Sequence, residues 1–543
     1  MRNCKQCKSE FEIQVPKFYD KLKLTLPTLC PVCRRQRRLA FWPYGILQKR
    51  KCDFSGEDII STYSPDAHFP VFRKKYWFGD DWNPPEMEID WNKSFFEQLY
   101  ELQSKTPHFH QLGKNNTNCD YADDVWSCKN AYLSRSMLEC EDVMYIYRVL
   151  YSKDCMDLTY CYNMDQSYEC TYCFKCYNLK FSLDCRDCSD SYFLYSCSGC
   201  RDCFMCWNLR NRKYCIFNKQ YSEEEYKEKI KSLHLNSRAF LNELRKRFVD
   251  HIKNDAIHKA DHNLNTENCD GNYITDCRNC HDAYFMEDAE NDVHVYRSPK
   301  TNNCVDCTGL LNGELSYEVC QCTDCNNIRF ALFCSDCSDS AYIDQCFNCI
   351  HCFGCVGLKR KKFCILNKQY SKEEYAKIMP KLKEKMIKDG EYGEFFPYKF
   401  AFNGFNLSLG SFFYNETESG IKKKGGYFEK VPNGKKEEEN YPVLSDLTEG
   451  ITDDLVGKVF KCSKSDQPYT FTKQELDFYR KHNLPLPDVH PEERNKERFA
   501  KLPPLTPRTI TCPGCKKKIT TYYPESWGYK RIGCEECYLK TLY

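Results

Sequence analysis

The stretch that decides the fold is CYNMDQSYECTYCFKCYNLKFSLDCRDCSDSYFLYSCSGC, residues 161–200. Within it Cys161, Cys173, Cys185 and Cys197 stand twelve residues apart, and Cys176, Cys188 and Cys200 keep the same step three residues out of phase. The pattern returns downstream: Cys185, Cys188, Cys197, Cys200, Cys203, Cys206 and Cys215 reappear 149 residues later as Cys334, Cys337, Cys346, Cys349, Cys352, Cys355 and Cys364. A fixed short period inside a duplicated block is the mark of a coil in which each turn packs only on its neighbours. The expected class is mainly β with α additions: a duplicated short-rung β-solenoid of about 12 residues per turn, flanked by treble-clef and zinc-ribbon modules. A turn of three short sides stacks equivalent positions one strand spacing apart, about 4.8 Å, so like residues form ladders.

Block A spans 116–221 and block B 266–370, each closing on nearly one phrase: Cys215-Ile-Phe-Asn-Lys-Gln-Tyr-Ser222 and Cys364-Ile-Leu-Asn-Lys-Gln-Tyr-Ser371. Ser222-x2-Glu225 and Ser371-x2-Glu374 follow as capping boxes, so each block ends in a helix. The tracts 141–154 and 283–300 break the cysteine pattern and predict irregular turns. Three uses of the ladders remain open. Cysteine is a small, adaptable core filler; the stacked pairs Cys173, Cys176, Cys185, Cys188 and Cys322, Cys325, Cys334, Cys337 also suit zinc or an iron-sulfur centre; and disulfides between rungs are geometrically allowed.

The remaining chain divides into a zinc module (1–52), a Trp-rich helical wrap over an open end of the coil (53–115), a helical insertion that is a solvated spacer or partner surface (222–265), a capping helix (371–388) and a small mixed domain (389–460) with an exposed loop over 422–440. A degenerate module (461–509) and a C-terminal zinc module (510–543) complete it. Cys4-x2-Cys7 with Cys30-x2-Cys33, and Cys512-x2-Cys515 with Cys534-x2-Cys537, each supply four thiolates, the set that closes a tetrahedral zinc site. In the degenerate copy Cys462, His490 and Glu493 stand where ligands are expected, either as a weak metal site or as a copy kept for its packing. Behind Cys33, Arg34, Arg35, Arg37, Arg38, Lys49, Arg50 and Lys51 run without an acid and are interleaved with Phe41, Trp42 and Tyr44. Cations neutralise phosphates and aromatics stack on bases, so this run is the candidate nucleic-acid surface, for RNA before DNA. Against it, a charge run also serves as a plain solvated face.

The balance of 79 basic against 77 acidic residues denies a whole-protein field, and a mean hydropathy of -0.70 with no long apolar run points to a soluble chain without a membrane span. No apolar signal core follows Met1, so forty cysteines read as thiols of a reducing, cytoplasmic compartment rather than as secreted disulfides. None of the familiar phosphate-loop, dinucleotide, zinc-protease or serine-hydrolase motifs occurs, and the chain is expected to be no enzyme. The tract Cys30-Pro-Val-Cys33-Arg34-Arg35-Gln36-Arg37-Arg38-Leu39, the paired Asn-Lys-Gln-Tyr-Ser closings and Cys534-Glu-Glu-Cys537-Tyr538 together resemble a group of cysteine-rich bacterial proteins flanked by zinc ribbons. That resemblance implies the end modules and brings no activity. The N-terminal module is loosely similar to the treble clefs of ribosomal proteins that grip RNA. Expectation thus centres on a zinc scaffold that contacts RNA or a ribonucleoprotein. The alternatives are a metal-handling iron-sulfur protein and a protein-interaction platform on the solenoid faces.

Overall fold

The computed structural model describes residues 1–44, 47–430 and 441–542. The chain is mainly strand with added helices and divides into two compact units, Met1–Gln111 with Asp261–Lys430 and Leu112–Ala260 with Val431–Tyr543. Block A lies in the second unit and block B in the first, so neighbouring segments of sequence are shared out between units.

In block A parallel strands follow one another from Gly113–Lys114 to Lys213–Ile216, and residues pair with those twelve positions on: Arg135 with Tyr147, Tyr147 with Thr159, Ser189 with Arg201. Block B pairs Tyr317 with Arg329, Arg329 with Ala341 and Ala341 with Phe353. The core side chains recur every third residue. Cys155, Leu158, Cys161 and Met164 are buried together in block A, as are Cys346, Cys349, Cys352 and Cys355 in block B. The residue before each of these turns the chain: Asp154, Asp157, Tyr160 and Asn163 have φ of 50°, 58°, 55° and 53°. A left-handed residue every third position gives four corners in twelve residues, which corrects the expected three sides. Asn and Asp tolerate that conformation best, and here they also bond along the stack: Asn118 donates to Asn130 (2.9 Å) and Asn130 to Asp142 (2.7 Å).

The tracts expected to be irregular keep the register, with Glu141 opposite Lys153 and Tyr284 opposite Tyr296. Val143 and Val149 occupy the core positions there, so composition changed while the backbone step did not. Both blocks end as their sequences predict. A short antiparallel strand, Lys219–Gln220 or Lys368–Gln369, covers the last turn, and the Ser222/Glu225 and Ser371/Glu374 capping boxes open helices Glu223–Lys231 and Lys372–Lys388.

The Trp-rich segment covers outward-facing rings of block B. Phe95 of helix Phe95–Lys105 meets Tyr342 (5.4 Å) and Phe353 (5.2 Å), and Trp77 meets Phe347 (5.5 Å). The helical insertion is no solvated spacer: Leu241, Leu244, Phe248 and Ile252 of helix Arg238–Asn254 are buried, with Phe248 on Phe193 of block A. The segment 389–430 packs into the first unit and 441–460 into the second, in place of one small domain. Lys422 and Lys423 end a helix, Glu418–Lys423, and the rest of the expected loop over 431–440 lies outside the described residues. Among the described residues no helix is long and apolar enough to cross a membrane.

Candidate metal centres

Both cysteine quartets are assembled. The ligand sulfurs of Cys4, Cys7, Cys30 and Cys33 all lie within 4.8 Å of one another, as do those of Cys512, Cys515, Cys534 and Cys537. Each centre is built the same way. A hairpin, Arg2–Asn3 with Glu10–Phe11 or Arg508–Thr511 with Lys518–Thr521, carries the first pair in its turn, and the second pair opens a helix, Pro31–Ala40 or Glu535–Leu542. Left-handed Lys8 and Lys516 close the turns, where Lys8 N–H donates to Cys4 O and Lys516 N–H to Cys512 O. The helix-opening amides point at sulfur: Cys30 N–H lies 3.3 Å from Cys4 Sγ and Cys534 N–H 3.4 Å from Cys512 Sγ.

Such donors favour thiolate. The Cys512 thiol is lowered to about 6 by the N–H groups of Cys515, then of Cys534 and Gly514, and Cys30 is lowered to about 4, first by the hydrogen bond from the Cys33 thiol. Sulfur separations of 3.7 Å (Cys7 to Cys30), 3.8 Å (Cys512 to Cys534) and 3.7 Å (Cys515 to Cys534) occur within the quartets. A tetrahedron with metal-sulfur bonds of about 2.3 Å has edges of about 3.8 Å, so the quartets fit a zinc-sized ion. Gly514 leaves no choice of residue, since a Cβ there stands 2.7 Å from Cys537 Sγ.

The degenerate copy keeps the frame and loses the ligands. Cys462 Sγ accepts from His490 N–H (3.2 Å), as Cys4 does from Cys30. The His490 ring, however, accepts the Glu492 N–H (3.1 Å) as a helix cap, and Glu493 pairs with Lys496 (2.7 Å). Cys462, His490 and Glu493 are not gathered as a metal group. A fourth copy escaped the sequence reading: Cys52 N–H bonds Glu57 O, Gly56 N–H bonds Cys52 O, and Arg73 N–H meets Cys52 Sγ at 3.3 Å. Its signal was Cys52-x2-Ser55, the same worn knuckle as Cys462-x2-Ser465. Each unit therefore holds one complete and one worn module.

The arginine run corrects the expected nucleic-acid surface. Arg34, Arg35, Arg37 and Arg38 are all buried. Asp306 of block B accepts from Arg34 (2.8 Å) and Arg38 (2.9 Å), Glu318 from Arg37 (3.1 Å) and Arg38 (3.3 Å), and Asp282 from Arg35 (3.1 Å). These guanidiniums are committed to internal carboxylates and have no free face for phosphate. In the hairpin Gln48–Lys51, Arg50 is buried against Asp53 (2.8 Å), Lys51 pairs with Asp58 (2.8 Å) and Lys49 is exposed. The second unit repeats the lock: Asp157 accepts from Arg494 (2.9 Å) and Arg498 (2.7 Å), both from helix Pro491–Phe499.

The block cysteines are core, and the structure does not gather them as ligands of a single metal ion. Among the described residues, the two end quartets are the groups of three or more possible ligands whose atoms come within 4.8 Å of one another; Cys173, Cys176, Cys185, Cys188 and Cys322, Cys325, Cys334, Cys337 are not among them. Their thiols point into the coil and donate to carbonyls, Cys173 to Thr171 O (3.5 Å), Cys185 to Leu183 O (3.4 Å), Cys334 to Leu332 O (3.3 Å) and Cys337 to Cys346 O (3.3 Å). Serine makes the same bond at equivalent positions, as Ser182 to Lys180 O (2.9 Å). A residue at these corners must be small and able to satisfy a buried carbonyl, and thiol and hydroxyl both qualify. All the cysteines are free, so rung disulfides are absent as well. No family model matches this chain, and no curated protein compared with it is similar.

Proposed function

We propose that the chain is a non-enzymatic scaffold stabilised by two zinc ions, one per unit, and that its two parallel stacks are β-solenoids on whose outer faces the cysteine modules are mounted. The carrying observation is the gathering of four sulfurs within 4.8 Å of one another in each quartet, with the pairs Cys7–Cys30, Cys512–Cys534 and Cys515–Cys534 at 3.7–3.8 Å, the edge of a zinc-thiolate tetrahedron. When bound, zinc supplies a crosslink between a hairpin turn and a helix start. The protein residues do the rest: in the first unit the metal-bound helix presents Arg34 and Arg38 to Asp306, and in the second the ion ties the C-terminal hairpin to the start of helix Glu535–Leu542, directly after the strand Ile532–Gly533 that pairs with His258–Lys259. Forty cysteines with no disulfide among them suit a reducing, cytoplasmic compartment.

Metal analysis of the purified full-length chain, run beside its absorbance spectrum, tests this reading. Two zinc ions and no colour are expected, falling to one in Cys33→Ala and in Cys537→Ala. Stoichiometric iron with absorbance near 400 nm, or no bound metal, refutes it. RNA contact remains a second reading but moves to the C-terminal module, where Lys516, Lys517, Lys518 and Lys530 are exposed and, among the described residues, have no acid in ion-pairing distance. Salt-dependent RNA binding that disappears on replacing these four lysines by glutamate supports it, and binding that survives the change removes it.

A further inference from the structure

The second unit contains a cavity of about 730 Å³ bounded by block A, helix Arg238–Asn254, the Cys462 module and the C-terminal module. Its floor is apolar: Phe181, Phe193 and Leu183 of block A, Val249 and Ile252 of the helix, and Leu484. Val249 is 44 % exposed although it sits among these rings. Every wall has a counterpart in the first unit. Block A corresponds to block B 149 residues later, the Cys462 module to the Cys4 module (458 residues earlier at the cysteine, 460 at Arg494 and Arg34), the C-terminal module to the Cys52 knuckle 460 residues earlier, and helix Arg238–Asn254 to Phe95–Lys105, 150 residues earlier. The correspondence is visible in the contacts. Asp157, Tyr145 O and Tyr168 meet Arg494, Arg498 and Tyr479 as Asp306, His294 O and Tyr317 meet Arg34, Arg38 and Tyr19. His258 reaches Tyr195 (2.6 Å) as His108 reaches Asp344 (3.1 Å).

In the first unit this space is filled by the chain itself. The segment Glu391–Phe402, EYGEFFPYKFAF, runs through it and touches each wall. Glu391 caps helix Phe95–Lys105 through Phe95 N–H (2.9 Å), Tyr392 O accepts from Thr25 (2.6 Å) and Glu394 accepts from Thr28 (2.6 Å). Phe395 and Phe396 pack on Phe41 (5.2 and 6.2 Å), Phe400 on Phe96 (5.9 Å) and Phe402 on Phe69 (6.0 Å). Among the described residues the second unit has no counterpart of this segment after its capping helix, since the chain passes from helix Glu223–Lys231 to helix Arg238–Asn254 in six residues.

The walls also differ in charge. Where the first unit has Phe95, Phe96, Gln103 and Phe41, the second has Arg245, Lys246, Lys253 and Lys501. The cavity's acids are already matched, Glu169 by Arg245 (2.9 Å), Glu497 by Lys464 and Asp488 by Arg238 (4.0 Å). Among the described residues Lys246, Lys253 and Lys501 have no acid in ion-pairing distance. Lys501 reaches solvent yet is hemmed in by protein, and that burial, opposed by Glu169 and assisted by Arg498, lowers its ammonium below the usual range. An aromatic-shaped space lined by uncompensated cations calls for an anionic, aromatic occupant.

We propose that the cavity of the second unit is a docking groove for an extended aromatic peptide of a partner protein, carrying acids where the first unit's own plug carries Phe396 and its neighbours. The inference stands whatever metal the cysteines hold. The test uses the full-length chain and two fluorescein-labelled peptides, the Glu391–Phe402 sequence and the same sequence with Phe396→Glu, read by fluorescence anisotropy. The Phe396→Glu peptide is expected to bind saturably and about tenfold more tightly than the parent, the gain (about 1.4 kcal/mol) of one new ion pair in a partly desolvated groove. Lys246→Glu, Lys253→Glu and Lys501→Glu together are expected to abolish that preference, and Lys501→Phe to reverse it. These wall lysines are solvent-accessible and make no ion pair, so unchanged circular dichroism verifies the fold of each variant. Failure of both peptides to bind, equal binding by the triple variant, or tighter binding of oleate than of either peptide overturns the proposal, the last by making the groove a site for a lipid-like amphiphile.

Discussion

Replacing Asp157 by asparagine removes the counter-ion from two buried guanidiniums at once. Arg494 and Arg498 each have side chains no more than 5 % exposed, and among the described residues Asp157 is the one acid within 4 Å of either. Asparagine keeps the volume and one acceptor but leaves two charges in a region from which water is excluded, a perturbation of about 3–5 kcal/mol. The matching change in the first unit, Asp306→Asn, is milder. Glu318 remains 3.3 Å from Arg38 and 4.0 Å from Arg34, so part of the charge is still met and about 1–3 kcal/mol is expected. For domains of this size each kcal/mol lowers Tm by about 2–4 °C, which gives losses near 6–20 °C for Asp157→Asn and clearly smaller ones for Asp306→Asn. Hydrogen exchange separates the units: Asp157→Asn is expected to lose protection in helix Pro491–Phe499, and Asp306→Asn in helix Pro31–Ala40. Equal effects, or less than about 1 kcal/mol for Asp157→Asn, would refute the argument that these arginines are structural charges with a single anchor.

Further outcomes follow from the same geometry. Asp292 sits at a core position of block B, held by Thr301 and by Cys304 N–H (2.8 Å), and burial pushes its carboxyl up to about 7. A raised carboxyl favours the protonated native state, so the contribution of this one group is most favourable at and below pH 4, falls as pH rises from there and levels off above 7. Asp292→Asn should therefore stabilise the protein by about 2–4 kcal/mol at pH 8 and change little near pH 4, as read by urea midpoints at the two pH values. Cys462→Ala should leave the zinc count at two, because the metal-compatible ligands lie elsewhere; loss of one zinc would show that the worn module binds metal. In the native, zinc-loaded chain the block thiols should resist a thiol-specific reagent, since they are buried and burial raises Cys155, Cys170 and Cys197 above the usual thiol range; rapid labelling of many thiols before unfolding contradicts the packed core. Gly514→Ala should cost the C-terminal quartet its metal while leaving the other, a change visible as one zinc per chain.

Much of the architecture was legible in the sequence because it is written in short-range relations. The twelve-residue step, the capping boxes at Ser222 and Ser371, and the two cysteine quartets all involve residues that meet through neighbouring turns or a single loop, and each is visible in the sequence. The third, worn module was also legible from the order of its residues. The fourth was not, since Cys52 had lost every partner that makes such a knuckle conspicuous. Nor was the number of corners: the period of twelve is compatible with three sides or four, and the choice depends on every third residue adopting a left-handed conformation that most side chains disfavour in isolation.

The sequence by itself determined the twelve-residue strand step and the two cysteine quartets, because spacing along the chain dictates which sulfurs and which strand positions can coincide. Tertiary structure alone decided the fate of the arginines and the open groove. Arg34 and Asp306 are 272 residues apart, and a run of cations reads the same in a sequence whether it faces water, phosphate or a buried carboxylate. Likewise Lys246, Lys253 and Lys501 look like ordinary surface lysines until packing brings them to one aromatic cavity, whose twin is filled by Glu391–Phe402. Charge and hydrophobicity are properties of a residue, but what they do is set by the neighbours that folding supplies.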